Sequence, residues 1–301
     1  MMRSVFSAAA ILLAGCAPVT APAPVHPTAA APQLMKWPDL LNRPRPAPSA
    51  TIGYGIDTYQ VVDLWLPVGK GPHPTVLMVH GGCWQTAIAD RTIMNWIADD
   101  LRRRGIAVWN IDYRGVDRPG GGYPDTFLDA AAAADALRAN AERYRLNLSR
   151  LVAVGHSAGG HLALWLAGRA RLPAASPLRS ENPTPIRTVV SLGGLPDLEQ
   201  AARPPVSGCG VDVIPKISGG RVAETSVPYL APLGVRQVLV NGMQDRIIPT
   251  VYATTYASAM RAKGDRVTVR MVDNTGHVEL IAPDSAAWKI AVDDIEKALR
   301  R

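Results

Sequence analysis

The sequence predicts an α/β domain built on a mostly parallel central sheet with helices on both faces, and three observations lead there. From Tyr59 onward, runs of strand length take turns with longer helix-like stretches, the rhythm of parallel strands joined by helical crossovers. The strand-like run at residues 75–79 is continuously apolar, as strands covered on both faces are, and residues 106–111 read as another buried strand. The chain has 301 residues, 48% of them hydrophobic, enough for one large domain with a full core.

Taken in order, residues 60–66 read as a polar/apolar strand ended by Pro67, and 69–74 as a turn. Residues 75–79 are a buried strand. Residues 90–104 form a helix closed by Gly105, since glycine accepts the left-handed conformation that ends helices. Residues 106–111 are again a buried strand. Residues 124–144 form a long Ala-rich helix opening on Pro124, whose missing N–H costs nothing in a first turn. A strand at 151–154 and a helix at 158–171 follow, then strands at 186–192 and 237–241, a helix at 250–263, a strand at 267–272 and a closing helix at 285–301. Residues 196–234 break the rhythm. They are rich in Pro and Gly without a long periodic run, and so long an irregular insert in a compact domain reads as a functional loop, a lid over the site.

The N-terminus is a separate object. Arg3 precedes a short apolar run at residues 5–13, and Leu13-Ala14-Gly15-Cys16 closes it. The run is too short for the ~20 residues of a membrane span and reads as an export signal over residues 1–15. The tetrad resembles the lipobox of bacterial lipoproteins, which implies acylation of Cys16, a lipid anchor and residence on the cell envelope. Ordinary secretion with a chance cysteine competes, but Cys16 stands where the apolar run ends. Residues 16–50, Ala/Pro-rich, then read as an extended tether, leaving 51–301 as the folded domain. The formal net charge is +7, yet no Lys/Arg cluster interleaves with aromatics, so nucleic acid is not an expected partner. A solvated basic surface, favourable beside anionic lipid, accounts for the charge.

Two motifs carry chemistry. Gly155-His156-Ser157-Ala158-Gly159 follows a predicted strand and opens a predicted helix. In that setting G-x-S-x-G is a nucleophile elbow, a turn so tight that Ser157 projects its hydroxyl while the helix N-terminus favours negative charge beside it. His80-Gly81-Gly82-Cys83-Trp84 ends the strand at 75–79. Its glycines let backbone N–H groups approach a developing oxyanion, and the expected donors are the amides of Gly82, Cys83 and Ala158. His80 is read as a brace for this loop rather than a base, and Trp84 as packing. Tyr123 and Tyr229 carry no special signal.

These motifs resemble the α/β-hydrolase superfamily. The His-Gly-Gly-x-Trp form is similar to the branch containing kynurenine formamidases, feruloyl-esterase-like proteins and hormone-sensitive-lipase-like esterases, and the likeness covers about residues 59–299. It implies a triad in the chain order Ser, Asp, His. Of six histidines, His277 is the one in a late loop after Ser157, which makes it the expected base. The acid comes from Asp197, Asp212, Asp245, Asp265 or Asp273. Asp245, after the strand at 237–241, is preferred and Asp197 is the runner-up. Glu279 is read as a surface residue. The same fold puts the loop of Cys83 and the insert carrying Cys209 over one sheet edge. A disulfide between them requires Cα atoms within ~7 Å, and two free thiols are the alternative.

The resemblance implies acyl transfer to water through an acyl-enzyme, with no metal or organic cofactor. Small-molecule carboxylic esters are the first expected substrates. Formamidase activity comes second, because its substrate is cytosolic and this chain reads as exported. A peptidase comes third. A tethered binding protein on a degenerate hydrolase fold is the reading from another class, and the intact Ser157, Asp245 and His277 set speaks against it.

Overall fold

The computed structural model describes residues 33–300. The export signal, Cys16 and residues 17–32 lie outside the described residues. Eight strands form one sheet in the order β1-β2-β4-β3-β5-β6-β7-β8. They are β1 (Ala50–Gly53), β2 (Val61–Trp65), β3 (His73–Val79), β4 (Ala107–Ile111), β5 (Leu146–His156), β6 (Thr188–Leu192), β7 (Arg236–Gly242) and β8 (Arg266–Val272). β1 and β2 are antiparallel to their neighbours, and every later pairing is parallel. The nine α-helices among the described residues are α1 (Trp37–Leu41), α2 (Asn95–Arg103), α3 (Asp125–Asn140), α4 (Ala158–Gly168), α5 (Leu198–Ala201), α6 (Val213–Ser218), α7 (Val222–Thr225), α8 (Val251–Ala262) and α9 (Ala286–Leu299).

The continuous apolar runs explain the layering. Successive side chains of a strand point to opposite faces. Leu77 and Val79 of β3 therefore join one core with α3, α4 and α8, while Val76 and Met78 join a second core with α2 and α9. β4 and β5 divide in the same way, Trp109 and Ala153 on one side, Val108 and Val152 on the other. Helix α4 is buried along almost its whole length, as a helix apolar on all sides must be. The insert covers it. Leu198, Ile214, Ile217 and Val227 are buried in the α4-side core, so most of the insert is a packed layer and only its tip near Gly208 reaches the site.

Three expectations need correction. The tether does not extend to Ala50, because the chain belongs to the compact unit from Gln33 onward. A Pro/Ala-rich composition hides the anchors: Leu40 is fully buried, Trp96 Nε1 donates to Pro44 O at 3.1 Å, and Asn95 Nδ2 donates to Pro46 O at 3.0 Å. Proline denies a segment its donors but keeps the carbonyls that accept these bonds. Second, β1 was not expected. It is a short edge strand whose Thr51 hydroxyl donates to Asp63 Oδ1 at 2.6 Å, and four residues carry too little periodicity to read. Third, β5 begins at Leu146 rather than 151. Asn147, Ser149 and Arg150 break the apolar run there, beside a register shift in its pairing with β3 between Pro74 and Thr75.

Candidate active site

Ser157 sits between β5 and α4 at φ 55°, ψ −123°, a region that non-glycine residues occupy only when their surroundings over-determine it. Here its N–H donates to Leu192 O of β6 at 2.8 Å, and the turn is closed too tightly for side chains. A Cβ on Gly155 would stand 2.0 Å from Gly159 O. The elbow is therefore enforced by neighbouring backbone on both sides.

The loops after β7 and β8 bring in two more residues. Asp245 is buried and accepts from the amides of Ile247 and Ile248, both at 2.8 Å, through Oδ1. Its Oδ2 accepts from His277 Nδ1 at 2.6 Å. A carboxylate oxygen accepts, so Nδ1 is the donor in this bond, and the Nε2 lone pair is free in the neutral ring. Ser157 and His277 line one cavity. Among the described residues no hydrogen bond joins them. Asp197 is elsewhere. It caps α5, accepting from Glu199 N at 3.0 Å and Gln200 N at 3.2 Å. Asp265 holds the amides of Leu233 and Gly234. The preferred carboxylate is thus the one that meets His277.

His156 packs beside His277 with ring centroids 4.4 Å apart. Burial first, and then the neighbouring His277, hold its pKa well below the usual histidine range. Its neutral ring donates from Nε2 to His277 O at 3.2 Å, which steadies the backbone that carries the base without placing a second charge beside it. His161, in the first turns of α4, is pushed by burial down to about 4 and donates from Nε2 to Thr225 O of the insert at 2.7 Å.

The loop after β3 carries three consecutive residues with positive φ, Gly82 at 105°, Cys83 at 54° and Trp84 at 55°. Left-handed non-glycine residues cost of the order of 1–3 kcal/mol each, and strong attachments hold them. His80 Nε2 bonds Asp112 Oδ1 at 2.9 Å, Arg91 pairs with the other oxygen at 2.9 Å, and Tyr113 donates to His80 O at 2.9 Å. The brace assigned to His80 is what the structure displays, and Trp84 is fully buried. Cys83 is bridged to Cys209, with Cα atoms 5.3 Å apart. Among the described residues the amides of Gly82 and Cys83 donate no hydrogen bond. Gly81 also has a steric reason to lack a side chain, because a Cβ there would lie 2.9 Å from Ser157 Cβ.

The cavity measures about 270 Å³. Leu41, Ile88, Ile93 and Ile247 supply apolar walls, and no Asp, Glu, Lys or Arg contributes to the lining. Trp37 closes one side, its ring 6.3 Å from that of His156 and 6.4 Å from that of His277. Sequence reasoning missed Trp37, although the spacing of Met35, Trp37, Leu40 and Leu41 inside a proline-rich stretch was a usable signal. It also misplaced Glu279, which is buried rather than on the surface. Glu279 Oε2 accepts from Gly276 N at 3.0 Å and Oε1 from Met35 N, clasping the N-terminal segment to the loop of His277.

A serine on an elbow at the carboxyl edge of a mostly parallel sheet, with an Asp–His pair from later strand ends, defines the α/β-hydrolase fold and the kind of site that fold carries. The family model described as BD-FAE matches residues 62–220, just over half of the chain, and the chain belongs to that family. Among curated proteins, Esterase LipC of Mycobacterium tuberculosis is 26% identical over 229 residues, 69% of this chain and 54% of that protein. Carboxylesterase NlhH of the same species is 32% identical over 148 residues, 48% of this chain and 45% of that protein. The chain spans about half the length of these curated relatives. Among solved structures, a truncated carbohydrate esterase from gut microbiota superposes with a TM-score of 0.69 at 18% identity, covering 85% of this chain and 98% of that one. Esterase B from Lactobacillus rhamnosis gives 0.70 at 17% identity, covering 86% and 89%. At such identities the structural likeness is one of fold.

Proposed function

We propose that the chain is a serine hydrolase that cleaves carboxylic esters through an acyl-enzyme. The observation that carries this reading is the His277–Asp245 bond of 2.6 Å opening onto the same cavity as the strained Ser157. In the proposed cycle, His277 Nε2 takes the Ser157 proton as Oγ attacks the ester carbonyl. The tetrahedral oxygen is received by the amides of Gly82, Cys83 and Ala158, with α4 directing its N-terminus at the same place. His277 then returns the proton to the leaving alcohol, and the C–O bond of the ester breaks. Water, deprotonated by His277, attacks the acyl-enzyme and releases the acid and free Ser157. Asp245 keeps His277 in the required tautomer and stabilises its charged form. Esterase names among the relatives support the ester as substrate, and the uncharged lining of the cavity supports a neutral acyl group.

Ser157→Ala tests this. Hydrolysis of p-nitrophenyl acetate by the folded variant is expected to fall by about 10³-fold or more, since a residual rate survives from the oxyanion donors and binding. Activity within about tenfold of wild type would reject the nucleophile. The same reading includes export and a lipid anchor on Cys16, supported by Leu13-Ala14-Gly15-Cys16 and by a disulfide, which persists in oxidising compartments. Cys16→Ser should move the protein to soluble fractions. A mature N-terminus other than acylated Cys16 by intact mass would reject that part alone.

A further inference from the structure

We propose that Trp37 is a specificity-determining residue that ends the acyl pocket and limits the enzyme to short-chain esters. This rests on the ester-hydrolase reading above. The ring of Trp37 lines two spaces at once. One is the cavity of about 270 Å³ that holds Ser157 and His277. The other is a groove of about 320 Å³ on the far side, walled by Leu34, Met35 and Val278. Ile247 and His277 line both, so the two spaces adjoin, with the indole as part of the partition between them. The near cavity lies below the ~300–1,000 Å³ usual for sites that take drug-sized ligands. An acyl chain lying along Leu41, Ile88 and Ile93 therefore has little room, and the indole helps to close it off.

The partition is held firmly enough to discriminate. Pro38 stands in the first turn of α1, and Asp39 Oδ2 accepts from Lys36 N at 2.7 Å. Both fix the backbone on either side of Trp37, and the fully buried Leu40 anchors the same turn. Glu279 ties Met35 to Gly276, so the indole is referenced to the loop that carries His277. Arg43 pairs with Asp284 at 2.8 Å and keeps the segment closed further along. A wall fixed to the catalytic loop sets chain length as a geometric limit, because each methylene beyond it must either displace the indole or stay in water. The groove beyond is lined by Leu34, Met35, Ile247 and Val278 together with Lys36 and Arg246, so removing the indole extends the pocket along an aliphatic surface edged by two cationic side chains.

The experiment is a chain-length series of p-nitrophenyl acetate, butyrate, octanoate and decanoate with wild type, Trp37→Ala and Trp37→Phe, each checked for a cooperative thermal melt. A methylene accepted by an apolar pocket is worth ~10–200-fold in kcat/KM. The decanoate-to-acetate ratio is therefore expected to rise by about tenfold or more in Trp37→Ala and by a smaller factor in Trp37→Phe. The gain should appear mainly as a lower KM for decanoate, which a merely structural role would not produce. If Trp37→Ala fails to fold, Trp37→Phe still decides, because loss of the second ring must raise the ratio. A ratio within about twofold of wild type in the folded variants would overturn the proposal, as would a wild-type enzyme that already favours decanoate. If acetate is hydrolysed and the ratio does not move, Trp37 alone is wrong. If wild type hydrolyses none of the series, the ester-hydrolase reading falls with it.

Discussion

The site has two kinds of wall. The loops after β3 and β5 are specified by backbone conformation: Cys83, Trp84 and Ser157 all sit near φ +55°, wedged between parallel strands. Residues 33–46 contain no positive φ and are held instead by a few long-range attachments, Glu279 to Met35, Arg43 to Asp284 and Trp96 to Pro44. The insert tip is attached in the same manner, through Cys209 to Cys83 and Gly208 N to Ile247 O. The first kind of wall carries Ser157 and the proposed oxyanion donors, while Asp245 and His277 come from the loops after β7 and β8. The second shapes what reaches them. In the proposed account, chemistry rests on strained backbone and selectivity on segments fastened from outside, a division that lets one fold serve many substrates.

The comparison is broken most severely at the residues proposed to react, Asp245 included. Asp245→Asn should lower kcat by about 10⁴-fold, because His277 loses the partner that fixes its tautomer. Asp197→Asn should change kcat little, since that side chain caps a helix, and Asn caps nearly as well. Reversed effects in steady-state kinetics would mean that the wrong carboxylate has been assigned. Gly81→Ala is the next largest. Its Cβ would press on Ser157 Cβ and His156 Nδ1 at 2.9 Å, and displacement of a nucleophile by about 1 Å can cost ~10²-fold. A Gly81→Ala enzyme with wild-type kcat would show that the contact relaxes elsewhere.

On the second side the effects pass through stability. The bridge joins residues 126 apart in sequence, and Cys83→Ser with Cys209→Ser should cost about 2–5 kcal/mol of unfolding free energy. Denaturant titration would contradict this by returning the wild-type midpoint. The effect smallest at neutral pH is the pH-linked one, which develops only in acid. His161 is held neutral where its insert contact to Thr225 is buried, with its pKa lowered from 6.5 to about 4. The unfolded chain then binds the extra proton as pH falls below 6.5, so stability is present above that value and declines down to about 4. The slope is roughly 1.4 kcal/mol per pH unit for one such group. His161→Gln should flatten the slope by one proton in the same window, and an unchanged slope would remove His161 from the linkage.

The same division decides what the sequence revealed. The elbow and the conformation of the loop after β3 were legible because a backbone at positive φ, or one pressed against its neighbour, restricts residue type locally: Gly155, Gly159 and the pair Gly81-Gly82 leave a pattern that can be read in a row. His277 and Asp245 were legible through chain order and the strand each follows. Trp37 and Glu279 were not, because their partners stand far off in sequence, Glu279 meeting Met35 across 244 positions and Trp37 packing beside His277, and proline around Trp37 argued for an extended tether. The Cys83–Cys209 bridge lies between these cases. Placement of both loops on one edge allowed it, but only the Cα separation of 5.3 Å decided it.

The central claim is that Ser157 is an activated nucleophile, and the most direct measurement is the site of covalent labelling by a fluorophosphonate. Attack on phosphorus needs the Ser157 hydroxyl, the His277 base and the donors of the loop after β3 together. Peptide mapping of the labelled wild-type protein should place a single phosphonyl group on Ser157, with no label on Ser157→Ala and greatly slowed labelling of His277→Ala. A label on another residue, or a folded wild-type protein that remains unlabelled, would contradict the account.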